Sequence, residues 1–436
     1  MTDKIFHETP ILKTLEDYLS KNPIKMHVPF HSGISNNEIF PKEIYNFDIS
    51  EVSGYDTEGK DNPIWQSESI TAKYFCVEHS FYLTGGASVG LLAALIALNK
   101  FGRKVILSRN VHKSVINGVV LAGLEPIWLD VEFLNNWGIF SSVNVDRLSM
   151  IVSENNDIAG CVIVSPTYEG IISDVKKISE VCHSKNIPLI VDEAHGAHFY
   201  FLNHEGLTSA IQENADLVIQ SWHKTLGSLT QSGVMHLLNE KYFTYNDIKR
   251  ALDLVSSTSP SFLLLLSLEL TRKNLAETKG ALFNLLLNNL RSLKTEMNQI
   301  PELDILKNND PFKIYLKTEN ISGIEFAYQL YKEHSIEIES ANEIGFLMLV
   351  GNGFNDDIKS KIISALKEIN YKSENTKNAA LQIPLLELNE SSNPLSLREA
   401  FMKGFLKDVE REVNCEIHAP CPPGYAINIP GTKKCK

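Results

Sequence analysis

The chain has little of what marks a special environment. Its six cysteines, Cys76, Cys161, Cys182, Cys415, Cys421 and Cys435, show neither C-x-x-C spacing nor the density of a disulfide scaffold. A reducing compartment is expected. No charged start and apolar run open the chain, since "TDKIFHETP" follows Met1. The strongest apolar stretches, "LLAALIAL" and "FLLLLSLEL", are too short to span a bilayer. A cytoplasmic protein with no membrane partner is the expectation. Basic stripes are missing as well: Lys and Arg are scattered singly through a chain of formal charge −12, which argues against nucleic acid as a partner. No repeat with a period of about 20–50 residues and no low-complexity tract is found.

What is present can bury a large core. The 436 residues, 43% of them hydrophobic, exceed the single-domain ceiling of roughly 250–300 residues. From Phe81 to about Met235, short β-branched runs alternate with helical patterns. "KVILS", "EPIWLD", "AGCVIVS", "PLIVDEA", "ADLVIQS" and "GVMHLL" read as strands; "VGLLAALIALNKFG", "SVINGVVLAG" and "DVKKISEVCHSK" read as helices. Such alternation predicts an α/β fold, a three-layer α/β/α domain with a mostly parallel central sheet and its sites at the strands' carboxyl ends. In "SSTSPSFLLLLSLEL", Ser259 reads as a helix cap and Pro260 as the first helical residue, opening one long connecting helix or two in tandem. Beyond it, "FKIYLKT", "GIEFAYQLYKEHS", "GFLMLVG" and "DIKSKIISALKEI" predict a smaller α+β unit. The expected division is an N-terminal segment 1–50, a large domain 51–295 and a C-terminal domain 296–436. The Pro- and Gly-rich tail "APCPPGYAINIPG" is too apolar for a free linker and is expected to lie against the body.

The letters "VDEAHGAH", residues 191–198, admit three chemistries. A helicase reading draws on "GYDTEGKD", residues 54–61, which fits G-x-x-x-x-G-K. It fails because Asp61 stands where a hydroxyl must bind Mg²⁺, and Asp56 and Glu58 would repel phosphate. A metal reading draws on Asp192, Glu193, His195 and His198, but H-x-x-H lacks the H-E-x-x-H pair and no second cluster supplies a further ligand, so no metal is expected. The third reading is a cofactor carrying a phosphate, an aldehyde and a pyridine ring. "LTGGASVGLLAAL" offers the phosphate a cup: Gly85, Gly86 and Ala87 admit close approach, Ser88 adds a hydroxyl, and a helix starts there. Asp192 ends a buried strand, where its carboxylate needs a cation such as a pyridinium. Lys224 follows the next strand among small hydroxyls, with Ser221 and His223 able to hold phosphate. Each signal alone has a structural alternative; the three in order, at strand ends of one sheet, point to the cofactor.

These residues resemble the Orn/Lys/Arg decarboxylase family of pyridoxal-phosphate enzymes, which has an aspartate aminotransferase-like fold. "MHVPFHSG", "EVSGYDTE", "SRNVHKSVINGVVLAG", "SPTYEGIISDV", "VDEAHGAH", "SWHKTLGSLTQSG", "STSPSFLLLLSLEL" and "CPPG" follow the family's order over nearly the whole chain. The resemblance implies that Lys224 binds pyridoxal 5'-phosphate covalently, that Asp192 pairs with its ring nitrogen and that His112 stacks on the ring. It implies Gly86, Ala87, Ser88, Ser221 and His223 around the phosphate, and Thr167, Ala194 and His195 along the ring's edge. The turn Ser257–Ser259 is implied to reach a neighbouring subunit's cofactor in a homodimer. Pro29, Phe30, His31 and Ser32 depart from the family's opening motif, which has Gly and Lys there. The compact subgroup, without an N-terminal wing domain, is the expected match. The implied reaction is α-decarboxylation of a basic amino acid, lysine, arginine or ornithine, to its amine, a polyamine precursor. Glu169 is a candidate carboxylate for the substrate's basic end, with a solvated or helix-capping glutamate as the alternative. An aminotransferase, aldolase or racemase would use the same anchors, and a non-catalytic regulator would retain the fold.

Overall fold

The computed structural model describes residues 3–34, 39–50, 52–55, 59–319, 321–372, 396–404 and 414–432. The segment carrying Asp56 and Glu58, and Cys435, lie outside the described residues. Thirteen strands are described: β1 (His79–Leu83), β2 (Lys104–Ser108), β3 (Glu125–Leu129), β4 (Val131–Leu134), β5 (Ile139–Val143), β6 (Ile158–Val164), β7 (Leu189–Asp192), β8 (Leu217–Gln220), β9 (Gly233–Leu237), β10 (Leu303–Ile305), β11 (Lys313–Thr318), β12 (Ser340–Ala341) and β13 (Gly345–Leu349). Seven form a mostly parallel sheet in the order β1-β9-β8-β7-β6-β2-β3. The fold is α/β, as the alternation of short buried runs and helices requires.

The contacts fall into two compact units, residues 1–103 with 159–161 and 182–280, and residues 104–158 with 162–181 and 281–436. In the first, β7 and β8 run parallel, while β9 is antiparallel to both β8 and β1. β7, β8 and β9 are buried throughout, so they read as continuous apolar runs. The helix Gly86–Leu98 buries nine residues around its circumference, which suits an element enclosed in the core. Near the amino terminus, Thr9 makes no side-chain cap for the helix Pro10–Ser20. Glu269 caps it from a distance, its carboxylate accepting the N–H groups of Ile11 and Leu12, each at 2.9 Å. Arg272, one turn on, donates to the carbonyls of Phe6 and Glu8.

The connecting helix begins later than its sequence predicts. It runs Phe262–Thr278 with Ser261 as the cap residue, because Ser257 Oγ takes the Ser259 N–H into a local turn and holds Pro260 outside the helix. Left-handed Lys279 and Gly280 separate it from Ala281–Met297, so the helices are two in tandem.

In the second unit, β2 and β3 pair in parallel, and β10-β11-β13-β12 form an antiparallel sheet. The helices Gly323–His334 and Asp356–Lys372 pack together, the first also against β13. The tail returns to the residues after β2: Lys113 N–H donates to Gly424 O, Arg109 Nη1 to Ala426 O, and His112 forms a bridge with Tyr425. It thus lies against the body as its composition predicts. Among the described residues, no helix is long and apolar enough to cross a membrane.

Candidate active site

Strand β7 ends on Asp192, whose side chain is 3% exposed. Its Oδ1 accepts the Ala194 N–H at 3.1 Å. Burial pushes the carboxyl's pKa up, against the opposing pull of that N–H and of the Lys224 charge. A carboxylate so placed is stabilised by a cation that can meet it away from water.

The neighbouring strand β8 ends on Gln220, and a four-residue helix, Trp222–Thr225, follows it. Trp222 is fully buried and anchors this turn, while Lys224 remains half-buried and reachable. Lys224 Nζ lies 2.9 Å from His195 Nε2. Two residues predicted from separate stretches of sequence are therefore partners. Thr225 Oγ1 is buried beside them in sequence with no hydrogen-bond partner.

The glycine pair before the apolar helix adopts the shape a cup requires. Gly86 has φ +74°, and Gly85 at the cap position offers no side chain to the first turn. Gly233, the first residue of β9, makes the approach possible: a Cβ there would stand 2.6 Å from Gln220 O and 3.1 Å from Ala87 N. The helix start thus sits against the strand whose next residue is Ser221. Ser221 is buried and its hydroxyl caps nothing, whereas Ser88 is exposed. His223 donates from Nδ1 to Ser232 O at 2.8 Å, and burial lowers its pKa, so its imidazole is neutral. The turn Ser257–Ser259 is exposed.

The remaining predicted residues belong to the second unit. His112 is the cap residue of the helix Lys113–Ala122, its Nδ1 accepting the Ser114 N–H at 3.2 Å. A Cβ on Gly424 would stand 2.6 Å from the imidazole Cδ2, so the tail's backbone rests against the His112 ring. Thr167 is 1% exposed, with its Oγ1 accepting the Ile171 N–H. Glu169 is 6% exposed in the turn between β6 and the helix Val175–His183, which corrects the solvated reading; burial pushes its carboxyl's pKa up. Lys313, also buried, donates to the carbonyls of Thr167 and Tyr168 and holds this loop.

Sequence reasoning missed Gly233 and Lys313. Glycine opening a buried strand is a signal of close backbone approach and could have found the first. Nothing local marks the second, since its partners lie 145 and 146 residues away.

A sequence model described as Orn/Lys/Arg decarboxylase, major domain, matches residues 9–336. The chain belongs to the Orn/Lys/Arg decarboxylase family. Among curated relatives, the arginine decarboxylase of Bacillus subtilis is 29% identical over 455 residues, covering 98% of this chain and 91% of that one. The arginine decarboxylase of Bacillus anthracis is 28% identical over 450 residues, covering 98% and 90%. Among solved structures, the constitutive lysine decarboxylase of E. coli superposes with a TM-score of 0.78 at 18% identity, over 99% of this chain and 76% of that one. That likeness shows a shared fold. The motifs that resembled this decarboxylase family therefore lie in a chain that is a member of it.

Proposed function

We propose that the chain is a pyridoxal-phosphate-dependent decarboxylase of a basic amino acid, with arginine the first substrate to test because the full-length relatives carry that name. The observation that carries this reading is the placement of a buried acid, Asp192, at the end of β7 and of Lys224 in the short helix that follows the adjacent parallel strand β8.

The donor set fits the cofactor. A buried acid wants a cation, a reachable amine wants a carbonyl, and a glycine-built helix start beside an uncommitted buried hydroxyl wants an anion. On this reading Asp192 faces the ring nitrogen and Lys224 the aldehyde, with Gly86, Ala87, Ser88, Ser221 and His223 around the phosphate. The family resemblance assigns Ala194, His195, Thr167 and His112 to the ring. The cofactor, when bound, supplies a ring that accepts the electron pair left by departing CO₂.

The protein's own part is proton control and orientation. Asp192 holds a proton on the ring nitrogen it faces, because an ion pair inside a dry site is worth more than one in water. Lys224 Nζ would hold the cofactor's aldehyde, and its ammonium could return a proton to the substrate's Cα. His195 Nε2, its 2.9 Å neighbour, orients that amine. Glu169 is the carboxylate we assign to the substrate's distal cation, since a cation meeting this buried acid would offset the desolvation that pushes its pKa up.

We also propose a homodimer. Ile24, Met26, Val28, Phe30, Ile34, Ile39 and Phe40 are exposed, Phe30 at 98%, and an apolar surface of this kind is stabilised by a second copy.

The test is to load purified protein with pyridoxal phosphate and supply arginine, lysine and ornithine in turn, measuring CO₂ and the amine. Stoichiometric CO₂ and amine from one of them is expected. A keto acid, or no product from any, would contradict the reading.

A further inference from the structure

Behind Asp192 lies a hydrogen-bonded chain that the proposed reaction does not use. Glu193, the next residue, is 1% exposed. Its carboxylate accepts three hydrogen bonds: from Ala210 N–H at 2.7 Å, Ser209 Oγ–H at 2.7 Å and Gln220 Nε2 at 2.6 Å. With its amide nitrogen committed to Glu193, Gln220 turns Oε1 toward Trp222 Nε1, 3.0 Å away, and His236 Nε2, 3.3 Å away. Trp222 Nε1 is a donor only, so this orientation is fixed. His236 in turn donates from Nε2, and its Nδ1 accepts from Ser80 Oγ at 2.9 Å. Burial pushes the His236 pKa down to about 3, so the ring is neutral and the tautomer follows. Every donor in the chain points toward the one carboxylate at its end.

Two of the chain's three ends, Glu193 and Trp222, are adjacent to the two anchors. Glu193 is bonded along the backbone to Asp192, and its own N–H donates to Ile219 O, so β7 and β8 stay in register one residue beyond Asp192. Trp222 opens the short helix that carries Lys224. We infer that Glu193 is a positioning residue, which through Gln220 and Trp222 fixes the Lys224 helix relative to Asp192. This inference rests on the reaction proposed above.

The carboxylate matters for its polarity more than its size. In Glu193→Gln the side chain keeps one acceptor oxygen, and with that oxygen on the fixed Ala210 N–H its amide nitrogen faces the Gln220 amide nitrogen. Gln220 relieves that clash only by turning over, which points its own N–H groups at the donors of Trp222 and His236. A buried network with one reversed member loses more than a single bond. The exchange Glu193→Gln with Gln220→Glu removes the conflict. The amide placed at position 193 then donates to the carboxylate placed at position 220, and that carboxylate still accepts from Trp222 and His236.

The test compares wild type, Glu193→Gln, Gln220→Glu and the double exchange as holoenzymes. Wild-type CO₂ release and borohydride labelling of Lys224 are measured first, because their failure removes the reaction itself. Each single substitution should lower kcat at least about tenfold with KM within about twofold, and the exchange should recover kcat to within about threefold. In ¹⁵N-tryptophan-labelled protein without cofactor, the Trp222 indole signal should move in both single variants and return in the exchange. Trp222→Phe, which deletes one donor and keeps the carboxylate, should lower kcat without changing KM even if the exchange variant does not fold. An active wild type with undiminished single variants, an equal loss in KM, a folded exchange no better than the single variants, or an unmoved indole signal overturns the inference.

Discussion

Lys224 Nζ and His195 Nε2 stand 2.9 Å apart, joining a residue beyond β8 to one beyond β7. With Lys224 as an ammonium, which has only donors, His195 accepts at Nε2 and carries its proton on Nδ1. Replacing His195 by Phe keeps a ring and removes the acceptor. We predict a fall in kcat of about 10²-fold, with His195→Gln retaining most of the activity because its carbonyl can accept in place of Nε2. Steady-state kinetics of the two variants check this.

Asp192→Asn preserves shape and the bond from Ala194 N–H while deleting the charge. In the holoenzyme the expected loss in kcat is about 10²–10³-fold, the usual worth of an electrostatic group in a dry site. Without cofactor the same variant should be as stable as wild type or more so, since a desolvated acid has been removed. Thermal unfolding of the cofactor-free proteins measures the second half, and a large destabilisation there would count against the account.

Gly233 lies where a Cβ would meet Gln220 O at 2.6 Å and Ala87 N at 3.1 Å. Gly233→Ala should push the helix start off β9, weaken pyridoxal-phosphate binding at least about tenfold and cost about 1–3 kcal/mol in stability. Absorbance titration with the cofactor gives the first number and denaturant unfolding the second.

His236 predicts a pH effect. Its folded pKa is about 3 against an ordinary value of 6.5, so below pH 6.5 the unfolded chain binds a proton that the folded chain refuses. The stability it contributes is present above pH 6.5 and is lost as pH falls toward 3, at up to about 1.4 kcal/mol per unit. Because Glu68 and Glu193, both pushed up to about 7, titrate in both proteins, the His236 effect is read as a difference: the unfolding free energy of wild type minus that of His236→Phe should fall along this slope from about pH 7 through 5.5 to 4.

The strands β2, β6, β7, β8 and β9 were legible because each is a short, largely buried run between turn signals, and the half-buried β3 because Ile127 and Trp128 are strand-forming residues. β1 was not, since "HSFYL" merges into the glycine stretch that follows and shows as a strand only through its antiparallel pairing with β9. The hairpin β4–β5 was hidden by a register shift between Val131 and Phe133, which interrupts the alternation. In the site, Asp192 and Lys224 were legible as chemistry-bearing residues at strand ends. Glu193 drew notice only as a metal ligand, because its partners Ser209 and Gln220 stand 16 and 27 residues away and meet it through strand register, which a single sequence does not state.

The central claim is that the amine of Lys224 takes a carbonyl cofactor opposite Asp192. Its most direct measurement is borohydride reduction of protein loaded with pyridoxal phosphate, followed by peptide mass spectrometry. The account predicts loss of the visible absorption band and a phosphopyridoxyl mass on the peptide bearing Lys224. A label on a different lysine, or no label at all, would contradict it.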